Sequence, residues 1–172
     1  MVEAGTRRLM GVFSKSDLVD PPRTRLSLVD HNEFSQAVKG VEEAKIIEIL
    51  DHHRLSGDLT TREPVRFINE PVGSSSTIVA RRFREKGLEP DASVALCLCA
   101  GLVSDTLNLT SPTTTDVDRE NLGWLSSLAG VDADQFAEDF FASGSLLLHA
   151  DAKAIVGTDR KEFNEEGVFL SL

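Results

Sequence analysis

The sequence predicts an α/β fold, a parallel sheet flanked by helices, and three observations carry that expectation. Short continuous apolar runs at 26–30, 45–51 and 65–69 suit parallel strands buried on both faces. From Ser74 onward come four segments of helical length, bounded by Ser, Thr, Asp, Gly or Pro. Two of the strand-like runs also end in the same dipeptide, Asp30-His31 and Asp51-His52. With 172 residues, 41% of them hydrophobic and 27% charged, the chain has the size and composition of a soluble domain with one core.

Taken in order, residues 9–14 form a short apolar stretch expected to be a strand, followed by a linker at Pro21-Pro22. Nothing ahead of that stretch could pair with it, so residues 1–20 are expected to be the remnant of a preceding domain. Residues 36–43 are polar, with weak helical character. Gly73-Ser74-Ser75-Ser76 opens a helix that runs to about Lys86 and stops at Gly87. Its first N–H groups could bind an anion, against the plainer reading of a polar cap. Arg81, Arg82, Arg84 and Lys86 near its end suit the helix dipole and a solvated face. An apolar helix over 92–103 follows, then one over 116–128 with a Thr-rich turn to cap it. The next, over 133–143, carries Phe136, Phe140 and Phe141, expected on one face. Two short strands are expected around Glu165-Glu166-Gly167.

A net charge of −10 argues against nucleic acid held by a basic surface. It also means that an anionic substrate needs a site of inverted local sign, which bound divalent cations supply. No run approaches a membrane span and the first residues have no leader pattern, so the cytoplasm is the expected compartment. Cys97 and Cys99 are expected to be buried structural thiols.

In open α/β sheets ligands bind beyond the carboxyl ends of the strands. The strand assignment puts Asp30 and Asp51-His52-His53 at such ends, and a carboxylate beside imidazoles makes a mixed oxygen and nitrogen site. Imidazole tilts that site away from magnesium alone toward manganese, cobalt or zinc. Asp105, just after the apolar helix over 92–103, is a further carboxylate that could equally cap the next loop.

Five segments, in this order, resemble the manganese-dependent (family II) inorganic pyrophosphatases of the DHH phosphoesterase superfamily. They are Val29-Asp30-His31-Asn32-Glu33, Ile49-Leu50-Asp51-His52-His53-Arg54, Glu70-Pro71-Val72-Gly73-Ser74, Ser104-Asp105-Thr106 with Ser111-Pro112-Thr113, and Asp159-Arg160-Lys161-Glu162-Phe163. The resemblance implies an incomplete DHH N-terminal domain, with a core over 21–150 that lacks its first strand. It implies a CBS-like remnant over 1–20, carried by Gly11-Val12-Phe13-Ser14-Lys15-Ser16-Asp17-Leu18, and the start of a second, DHHA2-like domain over 151–172.

The same resemblance implies the roles. Asp30 would bridge two Mn2+ ions, with Co2+ or Mg2+ as substitutes, and His52 and Asp105 would be further metal ligands. His53 would be the catalytic group, touching substrate or supplying a proton. Lys161 would bind substrate, and Asp51 would orient the histidines. Pyrophosphate would be hydrolysed to two phosphates by a two-metal-activated hydroxide. A homodimer is implied, with adenine-nucleotide regulation only in an intact parent.

The family's opening His-x-Asn-Pro-Asp-x-Asp loop and its Arg-Lys-Lys cluster are not in this sequence. The chain alone is therefore expected to be inactive or nearly so. Two other readings stay open: a DHH-type phosphoesterase acting on short oligonucleotides, and a non-catalytic regulatory or dimerisation module.

Overall fold

A computed structural model describes residues 2–3, 5–19, 21–55, 57–145 and the backbone of 162–165 and 168–171. The chain runs α1 (Lys15–Val19), β1 (Arg25–Val29), 3-10 turns at Phe34–Gln36 and Val41–Glu43, β2 (Lys45–Asp51) and β3 (Arg66–Asn69). Helices α2 (Ser75–Glu85), α3 (Ala92–Thr106), α4 (Asp116–Ala129) and α5 (Ala133–Gly144) follow, then β4 (Glu162–Glu165) and β5 (Val168–Ser171). Strands β1, β2 and β3 form a parallel sheet in that order, and β4 pairs antiparallel with β5.

Both faces of the sheet carry core. Leu28, Val41, Ile46 and Ile49 pack with Phe34 on one side, while Leu50 joins Val72 and Ile78 on the other. Ile46 and Ile49 are three residues apart and still share a cluster, which strict strand alternation forbids. The pairing with β1 jumps from Ile46 to Glu48, so Ile47 forms a bulge that resets the faces. The largest core lies among the helices, where Leu102, Val103, Leu122 and Leu125 meet Ala80, Ala95, Cys99 and Ala137. Gly101 allows α2 to approach α3 there, because a Cβ at that position would collide with the Ser76 hydroxyl.

Some expectations need correcting. Residues 9–14 form no strand: Leu9 makes only an isolated bridge to Val2, and Val12 is 91% exposed. A lone strand without neighbours leaves its backbone groups to water. Strand β1, expected to be buried on both faces, lies at the sheet edge and buries only Leu28. Cys99 is buried, which raises its thiol to about 11, but Cys97 is exposed on the opposite side of α3. Phe136 and Phe140 pack on the helical core, whereas Phe141, one position on and about 100° around the helix, is 39% exposed. The arginines of α2 are not merely solvated. Arg82 pairs with Glu48 of β2 at 2.9 Å, Arg81 pairs with Glu70, and Arg84 pairs with Glu120 at 2.8 Å while lying over the Trp124 ring.

Candidate metal centre

The carboxyl ends of β1 and β2 are where the chemistry gathers. The ladder extends one residue past β1, with Asp30 N–H donating to Leu50 carbonyl at 2.9 Å. Asp30 itself adopts a left-handed backbone (φ 68°), which aspartate tolerates better than most residues. This turn leaves its carboxylate half-exposed beside His52, with Oδ1 3.3 Å from Nε2. Asp30, His52 and His53 each offer one ligand atom, and all three atoms lie within 4.8 Å of one another. Two atoms on one cation at bonds of about 2.1 Å and a right angle sit about 3 Å apart. The Asp30–His52 pair is therefore spaced for a shared divalent ion.

The surroundings set the imidazoles' roles. His52 Nδ1 lies 3.1 Å from the Val72 carbonyl, an acceptor only, so Nδ1 carries the proton and Nε2 keeps its lone pair for a metal. His53 Nδ1 lies 2.8 Å from Oδ1 of Asp51, which leaves its own Nε2 to face outward. The Asp51 bond raises the His53 pKa, burial opposes it, and the negative charges of Asp51, Asp30 and Asp105 raise it further. Asp51 is fully buried. Burial pushes its carboxyl up, but bonds from the His53 ring, Asn32 and the backbone N–H groups of His53 and His52 outweigh that, and its pKa ends below the ordinary value.

Asp105 falls in the last turn of α3, which runs three residues beyond the expected end. It lies outside the close group of Asp30, His52 and His53 but acts on His53 through its charge. Its Oδ2 accepts the Ser74 hydroxyl at 2.6 Å. Just beyond it, Leu107, Asn108 and Leu109 all have positive φ, a turn held by Leu109 N–H donating to Thr106 Oγ1 at 3.0 Å. His31 is not in that close group; its Nδ1 lies 2.9 Å from the Val29 carbonyl. Lys161 lies outside the described residues.

Three contributors were not assigned to the site from sequence. Asn32, 4% exposed, donates to Asp51 Oδ2 at 2.5 Å and to the Arg54 carbonyl at 3.1 Å, joining the ends of β1 and β2. It stood in the Asp-His-Asn-Glu segment without a function. Ser74 looked like a helix cap and is one, but it also bonds Asp105. Asp118 is the third: Thr115-x-x-Asp118 is a capping-box pattern legible in sequence, and the carboxylate additionally accepts Gly73 N–H at 2.9 Å and Thr77 Oγ1 at 2.6 Å.

Gly73 is thus pinned against Asp118. A Cβ there would come within 2.7 Å of Thr106 Cγ2 and 3.0 Å of Asp118 Oδ2, and Asp118 is held too firmly to yield. Gly73→Ala is expected to cost about 1–3 kcal/mol, the usual range for overpacking, as read by urea unfolding. An unchanged midpoint would contradict that packing.

Comparison with known proteins bears on the fold and the family. The sequence matches the DHH family, N-terminal domain, over residues 6–102. It is 47% identical over 143 residues to the "Probable manganese-dependent inorganic pyrophosphatase" of Thermotoga maritima, covering 83% of this chain and 26% of that protein. It is 40% identical over 161 residues to the "Cobalt-dependent inorganic pyrophosphatase" of Clostridium perfringens, covering 94% of this chain and 29% of that one. The crystal structure of a proposed family II inorganic pyrophosphatase from Methanococcus jannaschii superposes with a TM-score of 0.68 and 32% identity, over 86% of this chain and 51% of that one. The chain therefore spans only part of the proteins it matches. A family match across more than half the chain, with the Asp-His-His segment standing at the carboxyl end of β2, means that this chain belongs to the DHH family.

Proposed function

We propose that this chain provides part of the metal-binding half of an inorganic pyrophosphatase that uses manganese, or cobalt in its place. The observation that carries the reading is the gathering of Asp30, His52 and His53 ligand atoms within 4.8 Å at the carboxyl ends of β1 and β2. The donor set fits a divalent transition ion: a half-exposed carboxylate, and an imidazole whose other nitrogen is held by a carbonyl. The relatives named as manganese- or cobalt-dependent pyrophosphatases support it.

In this reading Asp30, His52 and Asp105 hold the ions, which when bound supply Lewis acidity and an activated water. Asp51 stays ionised beneath His53 and keeps its ring oriented. That makes His53 a better base than a free imidazole, able to hold a proton at Nε2 and give it to a departing phosphate. Lys161 would contact the phosphoryl group. The same proposal includes a homodimer through a sheet edge, a cytoplasmic setting and nucleotide regulation only in a longer parent. It also includes the division into a CBS-like remnant over 1–20, a DHH core over 21–150 and a second-domain start over 151–172. Among the described residues no helix is long and apolar enough to cross a membrane.

Two measurements test this. Calorimetric titration of the chain with Mn2+ should show saturable binding that Asp30→Asn weakens, while the chain alone turns over little pyrophosphate. Residues 25–145, grafted in place of the matching segment of the Thermotoga maritima relative, should yield an enzyme that hydrolyses pyrophosphate. A graft that cleaves a dinucleotide instead, or a chain that binds no Mn2+, would overturn the assignment.

A further inference from the structure

The turn between β3 and α2 reaches the site from two directions. At Val72 its carbonyl accepts from His52 Nδ1 at 3.1 Å. One residue later Gly73 N–H is anchored on buried Asp118 at 2.9 Å. At Ser74 the side chain, 0% exposed, places its oxygen 2.6 Å from Asp105 Oδ2 and accepts from Ser76 N–H at 3.1 Å. A hydroxyl has one proton and two lone pairs. An ionised carboxylate can only accept, so the proton goes to Asp105 and a lone pair caps α2.

Asp105 is exposed at the end of α3, and among the described residues Ser74 is its only hydrogen-bond partner. We propose that Ser74 is a positioning residue for Asp105: its buried hydroxyl holds one carboxylate oxygen in place and leaves the other free for a divalent cation. The inference rests on the metal-ligand role proposed above for Asp105. Ser74 is a fixed partner, held by the α2 cap and by the Gly73–Asp118 bond beside it. Holding one oxygen reduces the ordering that binding would otherwise require. Carboxylate ligands are commonly held by such hydrogen bonds, and losing one lowers metal affinity by about 10- to 100-fold.

The test is Mn2+ affinity of the chain, read by calorimetry or by loss of the free-ion electron paramagnetic resonance signal, with melting curves to check folding. Ser74→Ala should weaken Mn2+ binding by about 10-fold or more, and Ser74→Thr, which keeps the hydroxyl, should bind close to the unsubstituted chain. Asp91→Ala removes the cap of α3, the helix that carries Asp105, at its far end. It should lower the melting temperature without moving Mn2+ affinity, which separates loss of a cap from loss of the Asp105 bond. Unchanged affinity in Ser74→Ala beside a weakened Asp105→Asn would overturn the inference alone and leave Ser74 a helix cap. Unchanged affinity in Asp105→Asn beside a weakened Asp30→Asn would overturn it together with the proposed role of Asp105.

Discussion

Replacing Asp118 with alanine is expected to lower the unfolding free energy by about 3–4 kcal/mol, a large single-site loss for a domain of this size. Asp118 is 0% exposed and accepts from Gly73 N–H, Thr77 Oγ1, Thr115 N–H and Thr115 Oγ1. Removing it strands donors from three separate places: the turn before α2, α2 itself and the cap of α4. Each buried donor left without an acceptor costs about 1–3 kcal/mol, partly relieved where water can enter. The effect also has a pH signature. Burial pushes the Asp118 carboxyl up, but bonds from Thr115, Thr77 and Gly73 prevail and hold its pKa below 3.8. A carboxyl whose folded pKa is depressed contributes stability that is present above its unfolded pKa and lost as pH falls through the folded one. The chain should therefore lose stability on acidification below about pH 4, and Asp118→Ala should lose less over that window. Asp51, lowered for similar reasons, keeps part of the slope in the variant. Urea unfolding at a series of pH values measures both effects, and equal acid slopes in the two proteins would count against a buried, ionised Asp118.

Asp51→Asn is the second large effect, and it acts on the site as well as on stability. Oδ1 of Asp51 accepts from His52 N–H at 2.8 Å, His53 N–H at 3.2 Å and His53 Nδ1 at 2.8 Å, while Oδ2 accepts from Asn32. An asparagine must turn its amide nitrogen toward one of these sets of donors, at a cost of about 2–3 kcal/mol. The change also removes the largest influence raising the His53 pKa, so the imidazole should titrate at lower pH, closer to the ordinary value of about 6.5. The direction follows from charge: Asp51 favours the imidazolium, and a neutral amide does not. Nuclear magnetic resonance titration of the ring protons in chelator-treated protein would read the shift. A His53 that titrates identically in both proteins would show that Asp51 does not control its proton.

Which parts of this were legible beforehand depends on whether the deciding interaction is local. Strand β2 occupies the residues its apolar run marked, and α4 begins at the Thr-rich turn expected to cap it. Both signals need only near neighbours in the chain. The apolar run at 9–14 carried a strand's composition but has no partner strand among the described residues, so composition misled. The bulge at Ile47 was invisible because it arises from registering β2 against β1, not from either strand alone. Cys97 and Cys99 looked alike for a comparable reason. Their two-residue spacing puts them on different sides of α3, and only the packing of α2, α4 and α5 says which side is covered.

The candidate site divides along the same line. Residue identity and order alone determined the family resemblance, the strand-end placement of Asp30 and Asp51-His52-His53, and the chemistry that a carboxylate beside imidazoles can offer a cation. Tertiary structure decided which nitrogen of His52 is free, because the acceptor that settles it, the Val72 carbonyl 20 residues away, becomes a partner only once the turn before α2 has folded. It also decided that Ser74 meets Asp105 across 31 residues and Asp118 meets Gly73 across 45. A hydrogen bond acts over about 3 Å, so pairs so distant in sequence leave no pattern in it until the chain has closed on itself.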